Sequence, residues 1–193
     1  MAPLAQAKLT ALMELTSGSP DVKIGLIDGP VVTRHRDLAS ERIREIPGSN
    51  GAACTQANST ACLHGTFVAG ILSAKRNSPA PAICPDCTLL VRPIFAEKTT
   101  GSERMPGATA RELAVAIVEC IDAGARVINL SLALAQPSTR GEQLLEEAFN
   151  LAVRRSVIVV AAAGNQGTLG SSAITRHPWV IPVAACDVHG RPM

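Results

Sequence analysis

Tyrosine is absent from the 193 residues, and three Phe and one Trp bring the aromatic share to only 2%. Platforms that stack nucleic-acid bases are built from such side chains, so their scarcity argues against that class of partner. A charge excess of one sign is lacking too. Eighteen Lys and Arg stand against 16 Asp and Glu, a formal net charge of +2 spread along the chain with no basic stripe for phosphates or anionic lipid. No run approaches the ~20 apolar residues of a membrane span. Lys8 and Glu14 interrupt the leucines of the first 20 residues, which breaks a secretory apolar core and predicts an amphipathic helix over 1–20. The expectation is a cytoplasmic protein without an export signal. No Gly-x-Gly-x-x-Gly turn follows the first predicted strand, because Asp28-Gly29-Pro30 stands there. Dinucleotide binding is thereby disfavoured, and no cofactor is called for.

What the chain does have is a 47% hydrophobic content, enough for one sizeable core, and an alternation of two periods. Apolar runs at 22–27, 88–94, 127–132, 157–161 and 180–184 read as buried strands. Between them, Thr109-Ala110-Arg111-Glu112 and Thr139-Arg140-Gly141-Glu142 each have the capping-box pattern. The first opens a helix over 109–123 that places Leu113, Ile117, Cys120 and Ile121 on one face. The second opens a helix with Leu144, Leu145, Ala148, Leu151 and Ala152 as its stripe. Residues 32–62 lack sustained periodicity and read as a surface connection. Small residues at 65, 66, 69 and 70 allow a helix from His64 to about Lys75 to lie close against a sheet, with His64 at its exposed N-terminal end. Strands separated by helices predict an α/β fold: a doubly wound, mostly parallel sheet with helices on both faces, in one domain over 21–193.

Functional groups of such a sheet gather at the carboxyl ends of its strands. Asp28 ends the first strand, Ser131 lies near the end of the third, and Ala163-Gly164-Asn165-Gln166-Gly167 follows the fourth. Taken singly, Asp28 and Asn165 read as turn formers, Ser131 as a strand hydroxyl and His64 as a capping or core residue. Taken in order they say more. Ile27-Asp28-Gly29, the run from His64 to Gly70, Val127 to Leu132 and Ala162 to Gly167 resemble four successive blocks of the subtilisin-like serine proteases. Within that family the nearest resemblance is to the subtilases of cyanobactin-type ribosomal peptide biosynthesis. Leu15-Thr16-Ser17-Gly18, Ile83-Cys84-Pro85-Asp86-Cys87 and the run from His177 to Val183 carry the narrower likeness.

The resemblance implies peptide-bond hydrolysis on a peptide or protein substrate. His64 would be the base that takes the nucleophile's proton, Asp28 the carboxylate that orients it, and Asn165 the amide that stabilises the oxyanion. Leu130, Ser131 and Leu132 would pair with the substrate as an added strand. One block is missing. Gly-Thr-Ser occurs nowhere, since Gly65-Thr66 continues to Phe67 and Gly167-Thr168 to Leu169. Ser171 and Ser172 lack the turn-then-helix setting of a nucleophile. The expectation is a subtilisin-like domain truncated before its serine and inactive as it stands. The alternative is a catalytically dead module that binds peptides on the Leu130–Leu132 segment.

Four cysteines cluster near these blocks. Cys54 with Cys62, and Cys84 with Cys87, suit two local disulfides, four ligands of a structural zinc, or free thiols. The disulfide pairing is favoured here, with no metal. Cys120 and Cys186 fall in apolar runs and are predicted to be buried thiols.

Overall fold

The computed structural model describes residues 7–48, 54–97, 108–132, 139–164 and 172–192. After a short helix α1 (Thr10–Leu15) the chain forms β1 (Lys23–Asp28), β2 (Ile43–Glu45), α2 (Thr60–Ser73), β3 (Thr88–Pro93), α3 (Ala110–Asp122), β4 (Val127–Leu130), α4 (Thr139–Arg154), β5 (Ile158–Ala162) and β6 (Val180–Val183). The six strands make one sheet in the order β2-β3-β1-β4-β5-β6. Every pairing is parallel. From β1 the chain crosses to the edge at β2, returns inward to β3, and then passes to the other side of β1 for β4, β5 and β6, so the winding changes direction beside β1 and opens a crevice there at the carboxyl ends.

Side-chain alternation distributes the helices. Ile24 and Leu26 of β1 and Leu89 and Val91 of β3 point to one face, where Ala69 and Ala74 meet them from α2 and its end. Ile27, Leu90, Ile128, Leu130, Val159 and Ala161 point to the other face and form a core with α3 and α4. Helix α3 begins with both halves of a capping box. Thr109 Oγ1 accepts the Glu112 N–H at 3.2 Å, and the Glu112 carboxylate accepts the Thr109 N–H at 2.9 Å. Its predicted face is the buried one, and Cys120 packs there with its thiol pushed up to about 12 by burial. Along α4, Leu145, Ala148 and Ala152 are buried as the stripe predicts, and Phe149 joins them.

Several expectations are corrected. Among the described residues of the 1–20 segment the helix covers six, Thr10–Leu15, and buries none of them, while 16–20 is not helical; the Arg76 guanidinium fastens its end by donating to the carbonyls of Met13 and Thr16, each at 2.7 Å. The 32–62 connection contains β2, a three-residue edge strand with one apolar residue, too short to show a period. Cys186 is exposed, because it follows β6 in a tail that folds back on itself, closed by a bridge to Pro192 and by the Asp187–Arg191 ion pair.

Candidate active site

Strand β1 ends at Asp28, which alternation places on the same face as Ile24 and Leu26, beneath α2. The carboxylate is fully buried. Its Oδ1 accepts the Gly29 N–H at 2.6 Å and lies 2.6 Å from His64 Nδ1. Its Oδ2 is buried and has no hydrogen-bond partner among the described residues. A buried carboxylate oxygen left unpaired costs about 1–3 kcal/mol, and such orphaned groups tend to mark functional sites.

His64 arrives there because α2 starts earlier than its sequence pattern suggests. The Ser59 hydroxyl accepts the Cys62 N–H at 3.2 Å, so the helix begins at Thr60 and His64 sits in its second turn. The helix could not approach so closely without two glycines. A Cβ on Gly29 would lie 1.9 Å from the Ala61 carbonyl oxygen, and one on Gly65 2.4 Å from the Gly29 carbonyl oxygen. With the carboxylate as acceptor, Nδ1 carries the proton, leaving Nε2 free to act as a base. The His64 side chain remains 37% exposed. The hydrogen bond that His64 Nδ1 donates to Asp28 raises the imidazole above its ordinary 6.5; burial opposes this, and the carboxylate's charge adds to the rise. The imidazolium is therefore favoured, as a base that must hold a proton during the reaction requires.

The other site residues from the sequence lie at the same sheet edge or beyond the described residues. Leu130 is the last residue of β4 and is registered between Ile27 and Ala161, so Ser131 and Leu132 lie past the ladder. Asn129 Nδ2 donates to Ser131 Oγ at 2.7 Å. A cavity of about 310 Å³ opens here between Ser131 and the small side chains of Ala162, Ala163 and Ala185. Asn165 lies outside the described residues.

The loop before α2 is clamped by a residue that the sequence reading passed over. Glu97 accepts the N–H groups of Thr55 and Gln56, each at 2.9 Å at the closest, and the hydroxyls of Thr55 and Ser59. Burial pulls its carboxyl up, but the hydrogen bonds from Thr55, Gln56 and Ser59 together outweigh that and hold it below the usual range. Cys54 and Cys62 form a disulfide, with Cα atoms 5.8 Å apart. For a loop this short the chain-entropy model assigns about 2.5 kcal/mol to the cross-link. Cys54→Ser should accordingly lower the unfolding free energy in urea by about that amount; an unchanged midpoint would contradict the assignment.

Cys84 and Cys87 are corrected to free thiols. The turn between them closes by a 3.1 Å bond from the Cys87 N–H to the Cys84 carbonyl, and Gly18 packs directly on the Cys87 sulfur. Burial, the neighbouring Cys87 and a hydrogen bond to it push the Cys84 thiol up to about 12 against the pull of Arg76. A thiol so hard to ionise is a poor partner for oxidation. The four-cysteine zinc alternative is overturned as well. The metal-capable groups that come together among the described residues are Cys54, Cys62 and Glu97, without Cys84 or Cys87.

A parallel sheet that delivers a buried carboxylate to an imidazole at its carboxyl edge defines an α/β protein built around an activated base. Residues 19–190 match the subtilase family, peptidase family S8, and the chain belongs to it. It is 33% identical over 181 residues to the thermophilic serine proteinase of Bacillus sp. (strain AK1), covering 92% of this chain and 41% of the relative. To thermitase of Thermoactinomyces vulgaris it is 29% identical over 176 residues, covering 90% and 58%. Two solved structures are similar with a TM-score of 0.78. The protease domain of PatA, a patellamide maturation protease, has 29% identity and covers 92% of this chain and 62% of its own. The prenylagaramide maturation protease PagA has 28% identity and covers 96% and 61%. The chain thus spans between 41% and 62% of the length of these relatives.

Proposed function

We propose that this chain supplies the base, its orienting carboxylate and the substrate cleft of a serine endopeptidase that cuts a ribosomally made precursor peptide. The observation that carries the reading is the 2.6 Å contact between buried Asp28 and half-exposed His64. In the proposed reaction His64 Nε2 takes the proton of a serine hydroxyl as its oxygen attacks the scissile carbonyl. The imidazolium is stabilised by Asp28, then returns the proton to the leaving amine. Asn165 donates to the oxyanion, and the substrate backbone pairs beyond Leu130 with Ser131 and Leu132, its side chain entering the adjoining cavity. The serine itself lies outside these 193 residues in this reading. Its approach is supported by the open half of the α2 face, where Ile158, Ile181 and Val183 are 44%, 51% and 52% exposed. An apolar sheet face of that kind asks for a packed element. The precursor-peptide substrate rests on the similarity to PatA and PagA.

A fluorophosphonate probe, which labels only an activated serine, tests the reading on the full-length product of the native gene. The expected result is label on one serine of a Gly-Thr-Ser block, lost in His64→Ala. No label on the folded product would overturn hydrolysis and leave peptide binding along Ser131 and Leu132 as the reading to pursue.

A further inference from the structure

The Sγ atoms of Cys54 and Cys62 and a carboxylate oxygen of Glu97 lie within 4.8 Å of one another. From this juxtaposition we infer that reduction of the Cys54–Cys62 disulfide converts the loop in front of α2 into a Cys₂Glu site for a borderline-soft divalent cation, zinc foremost.

Two thiolates and one carboxylate select zinc over magnesium or calcium, which favour all-oxygen shells. Three protein donors leave the fourth tetrahedral position to water. The surroundings are already arranged for such a set. Cys62 is the third residue of the 14-residue helix α2, where the helix dipole favours a thiolate. Glu97 is oriented by the N–H groups of Thr55 and Gln56, the kind of outer hydrogen bonding that holds a metal-binding carboxylate in place. Access is one-sided: Cys62 is completely buried, whereas Cys54 is partly exposed. A reductant thiolate can thus attack Cys54 Sγ and release Cys62 as thiolate. A second reductant thiol then resolves the mixed disulfide, releasing Cys54 and leaving as a reductant disulfide. One cystine gains two electrons from two reductant thiols. Binding of Zn²⁺ to the two thiolates leaves two protons in solution. Disulfide and metal are mutually exclusive occupants of one site, so the loop that leads into the His64 helix would be cross-linked either way.

The test is a titration of the full chain with Co²⁺ after reduction with a phosphine and removal of metal by a chelator, followed by Zn²⁺. The expected result is one equivalent of Co²⁺ with near-ultraviolet sulfur-to-cobalt absorption and the visible bands of tetrahedral cobalt, displaced by Zn²⁺. The oxidised protein should give neither. Glu97→Gln should weaken Co²⁺ binding at least tenfold, Cys62→Ser should remove the sulfur band, and a Cys84→Ser, Cys87→Ser double variant should bind as the parent does. The inference is overturned if the reduced parent binds no stoichiometric Co²⁺, if Glu97→Gln binds as tightly as the parent, or if the signal disappears with Cys84 and Cys87.

Discussion

Gly65→Ala is expected to lower the unfolding free energy by about 3 kcal/mol, although the same exchange inside an unencumbered helix would stabilise by ~1 kcal/mol. The added methyl would sit 2.4 Å from the Gly29 carbonyl oxygen and 2.7 Å from that of Pro30. Both contacts are backbone, fixed on one side by β1 and on the other by α2, so neither can rotate away. Relief requires α2 to lift from the end of β1, and that motion separates His64 from Asp28. Gly70 provides the internal control. It lies in the same helix with nothing within 4 Å of its added Cβ, and Gly70→Ala should gain up to ~1 kcal/mol. Urea unfolding of the two variants decides the matter. If both shift in the stabilising direction, the close approach of strand end and helix is not what holds the Asp–His pair.

Asp28→Asn is expected to leave the fold intact and to reduce the rate of serine acylation in the full-length product by roughly 10⁴-fold, the size of the effect when a triad carboxylate becomes an amide that supports the wrong tautomer. The amide can present its NH₂ to Nδ1, which shifts the imidazole proton to Nε2 and removes the free base. A second readout needs no activity. In the disulfide-bonded, metal-free chain, His64 should titrate above 6.5 in the parent and fall back on loss of the carboxylate. The sign of the linked stability follows. Because the folded-state value is raised, the Asp28–His64 contribution is fully present below the unfolded value of about 6.5 and is lost as pH rises through the folded value. The parent's advantage over Asp28→Asn in urea should therefore shrink on going from acidic to alkaline buffer. An advantage that grows with pH, or a His64 resonance that titrates identically in both proteins, would refute the pairing.

Much of this site was legible without coordinates because its parts are local. The capping box at Thr109 and the stripe through Leu113, Ile117, Cys120 and Ile121 specify α3 within a residue or two, since periodicity and end signals sit in neighbouring positions. Asp28 could be placed at a strand's end because a six-residue apolar run stops there. The start of α2 was harder. Ser59 caps it, but no acidic residue stands at the third helical position to advertise the cap, and the helix reads as beginning four residues late. Glu97 went unnoticed because a carboxylate in a loop carries no pattern; its role comes from Thr55 and Gln56, more than 40 residues earlier.

By itself, then, the sequence determined the order of five of the six strands and of the helices between them, the parallel crossover architecture and the residue types at the sheet's carboxyl edge, because hydrophobic period and capping are short-range properties of the chain. Tertiary structure alone decided that Asp28 and His64, 36 positions apart, meet at 2.6 Å through two glycines. It also decided that Cys54 bonds to Cys62 beside Glu97, while Cys84 and Cys87 stay thiols in a buried turn. Equal spacing rules allow either cysteine pair to oxidise. What separates them is the backbone path that brings Cys54 and Cys62 to a Cα separation of 5.8 Å and the groups the fold sets beside each sulfur, and no local pattern records that.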